Sequence, residues 1–166
     1  VQQRQLNEQS LSLEVCGLQD GDARAAYRNV QFDIRTYKKL KMFVHAEQLF
    51  ENQPLRDEDL TLFIRLGTDF TENYYEYEMP MKVSEWYQNG DEQIWPEGNN
   101  VEIIFDNLLK AKKDRNLVTS DPNSTLNNTV EYSMIDPENP KRMIKVKGSP
   151  NLQGIRSVMI GIRNPN

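Results

Sequence analysis

Apolar residues recur at every second position along most of this chain, and that period restricts the fold more than any other feature. Leu60, Leu62, Ile64 and Leu66 alternate with Thr61, Phe63 and Arg65, and Tyr75, Tyr77 and Met79 oppose Tyr74, Glu76 and Glu78. The same rhythm runs through Leu11–Val15, Val30–Ile34, Leu40–Val44, Val130–Met134, Ile144–Val146 and Val158–Ile162. A period of two sends successive side chains to opposite faces of an extended strand. Eight or nine such strands, each with one apolar and one polar face, predict an all-β chain built as a sandwich or barrel. A membrane barrel would show a similar alternation, but most of these runs are shorter than the ~9–11 residues that span a bilayer. No apolar stretch approaches the ~18 residues of a spanning helix. A water-soluble sandwich therefore fits better.

The punctuation between strands has physical causes. Asp20-Gly21-Asp22 and Asn89-Gly90 read as tight turns, and Asp136-Pro137-Glu138-Asn139-Pro140 links two strands where proline cannot sit in a central one. One short helix is predicted after Phe105, with Asp106 capping it and Lys112, Lys113 and Arg115 suiting its negative end. Val101–Phe105 alternates like a strand and is read as one, leading into that helix, although Val101, Ile104, Phe105 and Leu108 also share a helical face. Ala23–Tyr27 is read as a possible further helical turn. The loop from Glu47 to Asp59 carries Leu49 and Phe50, which are expected to cover one end of the sandwich or to dock on a neighbour. The chain is expected to be a single β-sandwich domain over residues 1–166. Val1 at the start and Asn164-Pro165-Asn166 at the end suggest a segment excised from something longer.

Charge and rare residues exclude several functions. Lys and Arg number 20 against 25 Asp and Glu, so the net charge is −5, which opposes a nucleic-acid or acidic-lipid surface. Cys16 is the sole cysteine, so neither an internal disulfide nor a cysteine zinc site can form. Its neighbours Leu13, Val15 and Leu18 suggest a buried thiol. His45, the sole histidine, has no adjacent nucleophile, and a packed or exposed strand position is expected.

The remaining candidates are carboxylates and aromatics. Glu76 and Glu78 share a strand face at about 6–7 Å, a separation near that of a glycosidase acid and base. Tyr74, Tyr75, Tyr77, Trp86, Tyr87 and Trp95 lie close in sequence and could stack on sugars. A solvated strand face with core aromatics is the plainer reading. Asp20, Asp22, Asp57, Glu58 and Asp59 offer oxygen ligands for calcium but lack the spacing of an EF-hand loop. Asn123-Ser124-Thr125 and Asn127-Asn128-Thr129 match the short glycosylation sequon. No residue is assigned as catalytic, cofactor-binding or metal-binding. No cofactor is expected.

Several long strings resemble the SprA/Sov family of the Bacteroidota. They include Leu6-Asn7-Glu8-Gln9-Ser10-Leu11, Gly17-Leu18-Gln19-Asp20-Gly21-Asp22-Ala23-Arg24-Ala25-Ala26-Tyr27 and Tyr37-Lys38-Lys39-Leu40-Lys41-Met42-Phe43-Val44-His45-Ala46. Others are Ile64-Arg65-Leu66-Gly67-Thr68-Asp69-Phe70-Thr71-Glu72-Asn73-Tyr74-Tyr75-Glu76-Tyr77-Glu78, Ile94-Trp95-Pro96 and Ser157-Val158-Met159-Ile160-Gly161-Ile162-Arg163-Asn164. The resemblance implies a soluble domain of a giant outer-membrane barrel, the translocon of type IX secretion, tied in some members to gliding motility. It implies no enzyme activity and a place in the cell envelope, on the periplasmic or cell-surface side. Its partners would be other translocon domains and secretion proteins, without nucleic acid or direct membrane insertion. The strand repertoire is also similar to jelly-roll sandwiches of galactose-binding type, so the fold expected is a jelly-roll-like β-sandwich with one short helix. That second likeness, architectural only, keeps a carbohydrate-binding module open as the alternative.

Overall fold

A computed structural model describes residues 10–50 and 54–165. Among these residues eight strands form in chain order: β1 (Ala23–Phe32), β2 (Lys39–Met42), β3 (Thr61–Gly67), β4 (Tyr74–Pro80), β5 (Val101–Ile104), β6 (Tyr132–Asp136), β7 (Asn139–Lys147) and β8 (Ile155–Arg163). Between β4 and β5 lie a single helical turn, α1 (Asp91–Ile94), and a 3₁₀ turn at Glu97–Asn99. The main helix, α2 (Phe105–Thr119), follows β5 directly. The expected mostly-β architecture holds.

Six strands make one antiparallel sheet in the order β1-β8-β3-β4-β7-β6, and β2 and β5 make a separate antiparallel pair. Register puts Leu62, Ile64 and Leu66 of β3 beside Tyr75, Tyr77 and Met79 of β4, with Ile144 and Val146 of β7 next in the row. These residues, all at most 4% exposed, form one core with Val101 and Ile103 of β5 and Phe105, Leu108 and Ala111 of α2. Leu40 and Met42 of β2 pack against it. The small sheet and the helix thus make the second layer over the apolar face of the large sheet. Each fully buried aliphatic side chain stabilises that arrangement by about 1.5–3 kcal/mol.

Several local expectations need correction. Leu11, Leu13 and Val15 alternate, yet no strand forms there: among the described residues no segment pairs with them, and an unpaired strand is not stable alone. Cys16 is exposed rather than buried, since its segment does not enter the core. Ala23–Tyr27 is strand, not a helical turn: pairing of Ala23–Asn29 with Ser157–Arg163 of β8 overrides the helical preference of its alanines. Asp106 lies inside the first turn of α2 and makes no capping hydrogen bond; the N-cap position belongs to Ile104. Lys112 and Arg115 do not serve the helix end either. They reach sideways to the carbonyls of Pro150 (2.8 Å) and Gly148 (2.5 Å) respectively. Gly90 takes an ordinary φ of −96° and starts α1 instead of closing a tight hairpin.

Candidate functional site

The large sheet has a second face, and it is built from charge. Alternation places Phe63 and Arg65 of β3, Tyr74, Glu76 and Glu78 of β4, Lys145 of β7 and Arg163 of β8 there. Arg65, Glu76 and Lys145 occupy one cross-strand row. The Glu76 carboxylate is fully buried, accepts from the Nε of Arg65 and from Arg163 (3.1 Å), and forms an ion pair with the Lys145 ammonium at 3.4 Å. Glu78 is held by Arg163 and by Lys145 at 2.7 Å. Lys145 also reaches Glu131 at 3.7 Å, and Glu131 accepts from the Tyr74 hydroxyl at 2.7 Å. Three cations therefore meet three carboxylates in one connected lattice.

Aromatic rings seat the guanidinium groups. Arg163 lies 4.7 Å from the centre of the Phe63 ring, and Arg65 lies 4.1 Å from that of Tyr74. Such stacking favours a desolvated cation. Gly161, opposite Phe63 in the register, leaves room for the ring: a Cβ there would meet Phe63 Cζ at 2.5 Å and Ala25 Cβ at 2.6 Å. At the end of the β3–β4 hairpin, Arg65 also donates to the Phe70 carbonyl at 2.7 Å. Asp69 shapes that hairpin by accepting the backbone N–H groups of Thr71, Glu72 and Asn73 at 2.6–3.0 Å.

This geometry fixes what the glutamate pair can do. Burial alone would raise the Glu76 carboxyl, but the charges of Arg65 and Arg163 and their hydrogen bonds overcome it and hold it below the usual range. A general acid needs the opposite shift, with one carboxyl kept protonated near neutrality. Lys145, despite burial, is held above its ordinary range by its hydrogen bond to Glu78 and the charge of Glu76. Glu76 and Glu78 do share a face, as their spacing predicts, but Lys145 and Arg163 each clamp both of them. The arrangement is an electrostatic staple joining β3, β4, β7 and β8.

The other candidates are dispersed. Tyr75 and Tyr77 are core residues; Tyr77 donates to Asp136 at 2.9 Å, and burial pushes both phenols up to about 12. Trp95 is 44% exposed and meets Phe43 edge-on, with centroids 6.3 Å apart and planes at 64°. Trp86 donates its indole N–H to the Gln48 carbonyl and crosses Tyr87 at 82°. Neither pair offers two parallel faces to a sugar. His45 packs on Trp95 and bonds through Nδ1 to the Ile94 carbonyl at 2.7 Å.

Four of the five acidic turn residues bond to protein groups. Asp22 contacts Arg24, Asp57 accepts from the Val83 amide, Glu58 pairs with Lys141, and Asp59 accepts from the Arg56 amide. Among the described residues, no group of three or more Asp, Glu, His or Cys side chains converges as a metal site would require. Asn123 and Asn127 are both exposed. In the Glu47–Asp59 loop, Leu49 and Phe50 are also exposed and do not cover the core, while residues 51–53 lie outside the described residues.

Sequence reasoning found the two glutamates but missed Arg65, Lys145 and Arg163. The available signal was a cation at alternate positions of three separate strands; which strands are neighbours was not visible.

The profile of the SprA_N family, described as a motility-related secretion protein, matches residues 1–166. The chain belongs to the SprA_N family. Its resemblance to SprA/Sov sequences is thereby shown over the full length given, and with it an involvement in motility and secretion. Comparison with curated proteins found no match. Among the described residues, no helix is long and apolar enough to cross a membrane, which leaves membrane-spanning strands undecided.

Proposed function

We propose that this domain is a non-enzymatic structural and interaction element of an outer-membrane protein-secretion translocon, the type IX apparatus that also serves gliding motility. The observation that carries the reading is the family match along residues 1–166. The charge lattice supports it, because the best acid/base candidates are held ionised and clamped by Arg65, Arg163 and Lys145. The domain sits in the cell envelope, on the periplasmic or cell-surface side of the outer membrane. Its partners are other domains of its parent protein and further secretion components. Leu49, Phe50 and Tyr87 give it apolar surface on the loops beside α1.

The test is deletion of the domain from the parent protein with the rest intact, followed by measurement of cargo export and of parent assembly. Loss of export or assembly is expected. Normal levels of both would overturn the reading and favour a carbohydrate-binding module, for which exposed Trp95 and Tyr87 are the available surface. A glycan array on the purified chain would then be decisive.

A further inference from the structure

The two edges of the large sheet differ in how they are closed. β6 is short at five residues, has an irregular register between Ile135 and Asp136, and lies against α2. Those are devices that discourage further strand pairing. β1 has ten residues, seven of them exposed, and pairs in regular register with β8 from Ala23 to Asn29. No strand lies on its outer side among the described residues. It contains no proline and no acidic residue.

Its chemistry is also unlike that of the rest of the chain. In a protein of net charge −5, β1 carries Arg24 and Arg28 on one face, separated by Ala26. Arg28 makes no ion pair among the described residues, and the exposed Arg24 donates to the Ala23 carbonyl at 2.8 Å and makes one long ion pair, with Asp22 at 3.8 Å. On the opposite face Tyr27 is 58% exposed and rests on Phe70, with ring centroids 4.7 Å apart. Two like charges at this spacing repel a basic strand. They also oppose pairing with a second copy of β1, which would bring four arginines to one ribbon.

We propose that the free edge of β1 accepts an extended acidic strand from a partner protein, adding a seventh strand to the sheet. The inference rests on the interaction-domain reading and names the chemistry of the partner. Main-chain hydrogen bonds along Ala23–Asn29 supply the docking, as in other strand-addition complexes. Acidic side chains four residues apart, about 14 Å in an extended chain, meet Arg24 and Arg28. Small or apolar residues on the other face lie beside Tyr27.

The probe is a blocked synthetic peptide of about ten residues alternating Glu with Val or Thr, offered to the purified chain. Slowed amide hydrogen exchange across Ala23–Asn29 is expected. The Arg24→Glu/Arg28→Glu double variant changes only exposed side chains; it should bind at least about tenfold more weakly and should gain affinity for a Lys-for-Glu peptide. A proline-interrupted peptide should not bind. Absence of protection in β1 at millimolar peptide overturns the proposal, as does unchanged affinity in the double variant. Protection that instead grows with protein concentration alone would assign the edge to a second copy and also overturn it. Placed in the parent protein, the same double variant should lower cargo export. Intact export there, with export lost on deletion of the domain, would refute the acidic-strand edge while leaving the interaction-domain reading standing. Intact export in both would refute that reading itself.

Discussion

The two faces of the large sheet are made by the same strands, residue by residue in alternation, yet they hold together by different physics. On the face under α2, Ile64, Tyr75, Tyr77, Ile144 and Val146 bury apolar surface, and the gain depends on area more than on direction. On the other, Arg65, Glu76, Lys145 and Arg163 gain only if each cation meets its carboxylate. Buried ion pairs add little net stability over apolar packing, because desolvation offsets the attraction. Their strength here is in discrimination. A one-residue slip of β4 against β3 would carry Glu76 into the apolar core and Tyr75 and Tyr77 onto the charged face. The apolar face drives folding, and the charged face rejects the wrong register.

That contrast can be broken most severely from the apolar side. Ile64→Asp buries a charge with no partner at a site 2% exposed, and a loss of about 4–5 kcal/mol, enough to unfold a domain of this size, is expected. Loss of the cooperative circular-dichroism transition would verify it, and a near-normal melting curve would contradict the two-layer core. Glu76→Gln keeps the shape but strips the lattice of its central anion. About 3 kcal/mol should be lost, read as a lowered urea midpoint.

A graded version of the same test uses acid. Glu76 and Asp69 both have folded-state pKa values below their ordinary ones, Glu76 through Arg65 and Arg163, and Asp69 because its hydrogen bonds to Asn73, Glu72 and Thr71 outweigh its burial. Their stabilisation is complete above the unfolded-state values near pH 4 and disappears as pH falls through the lower folded values. The urea midpoint should stay level from about pH 7 to 5 and decline below about pH 4. The decline should be shallower in Glu76→Gln; an identical slope would remove Glu76 from the account. Smallest of these effects is Gly161→Ala, where the new methyl would press at once on the Phe63 ring, the Ala25 methyl and the Arg24 carbonyl of β1. A cost of about 1–3 kcal/mol is expected by denaturant titration, and an unchanged midpoint would mean that β1 can draw back from β8 without penalty.

The apolar face was largely legible in the sequence, and the charged one only half so. Leu62, Ile64 and Leu66 announce their face by period alone, as do Tyr75, Tyr77 and Met79. Periodicity also placed Glu76 beside Glu78, but their meaning depends on Arg65, Lys145 and Arg163, which are 11, 69 and 87 residues from Glu76. Register across three strand pairs joins them, and no local pattern encodes it. Phe63 shows the same limit, being 3% exposed although alternation put it on the polar side. At Leu11–Val15 the reverse occurs: a local strand pattern pairs with nothing among the described residues. Ala23–Tyr27 reads locally as helix, and β8 makes it strand.

The pairing of β1 with β8 also has a mechanical meaning. Ala23 faces Arg163, and the ladder continues outward, with the Gly21 amide donating to the Asn164 carbonyl and the Asn164 amide to that of Asp22. The polypeptide thus passes into and out of the fold through neighbouring rungs. Tension between Gly21 and Asn164 falls first on those few outer hydrogen bonds, which open one after another like a zipper instead of sharing the load. If both sides of this stem are anchored on the same neighbour, that tension is carried across the stem, and the sheet beyond it remains unstretched.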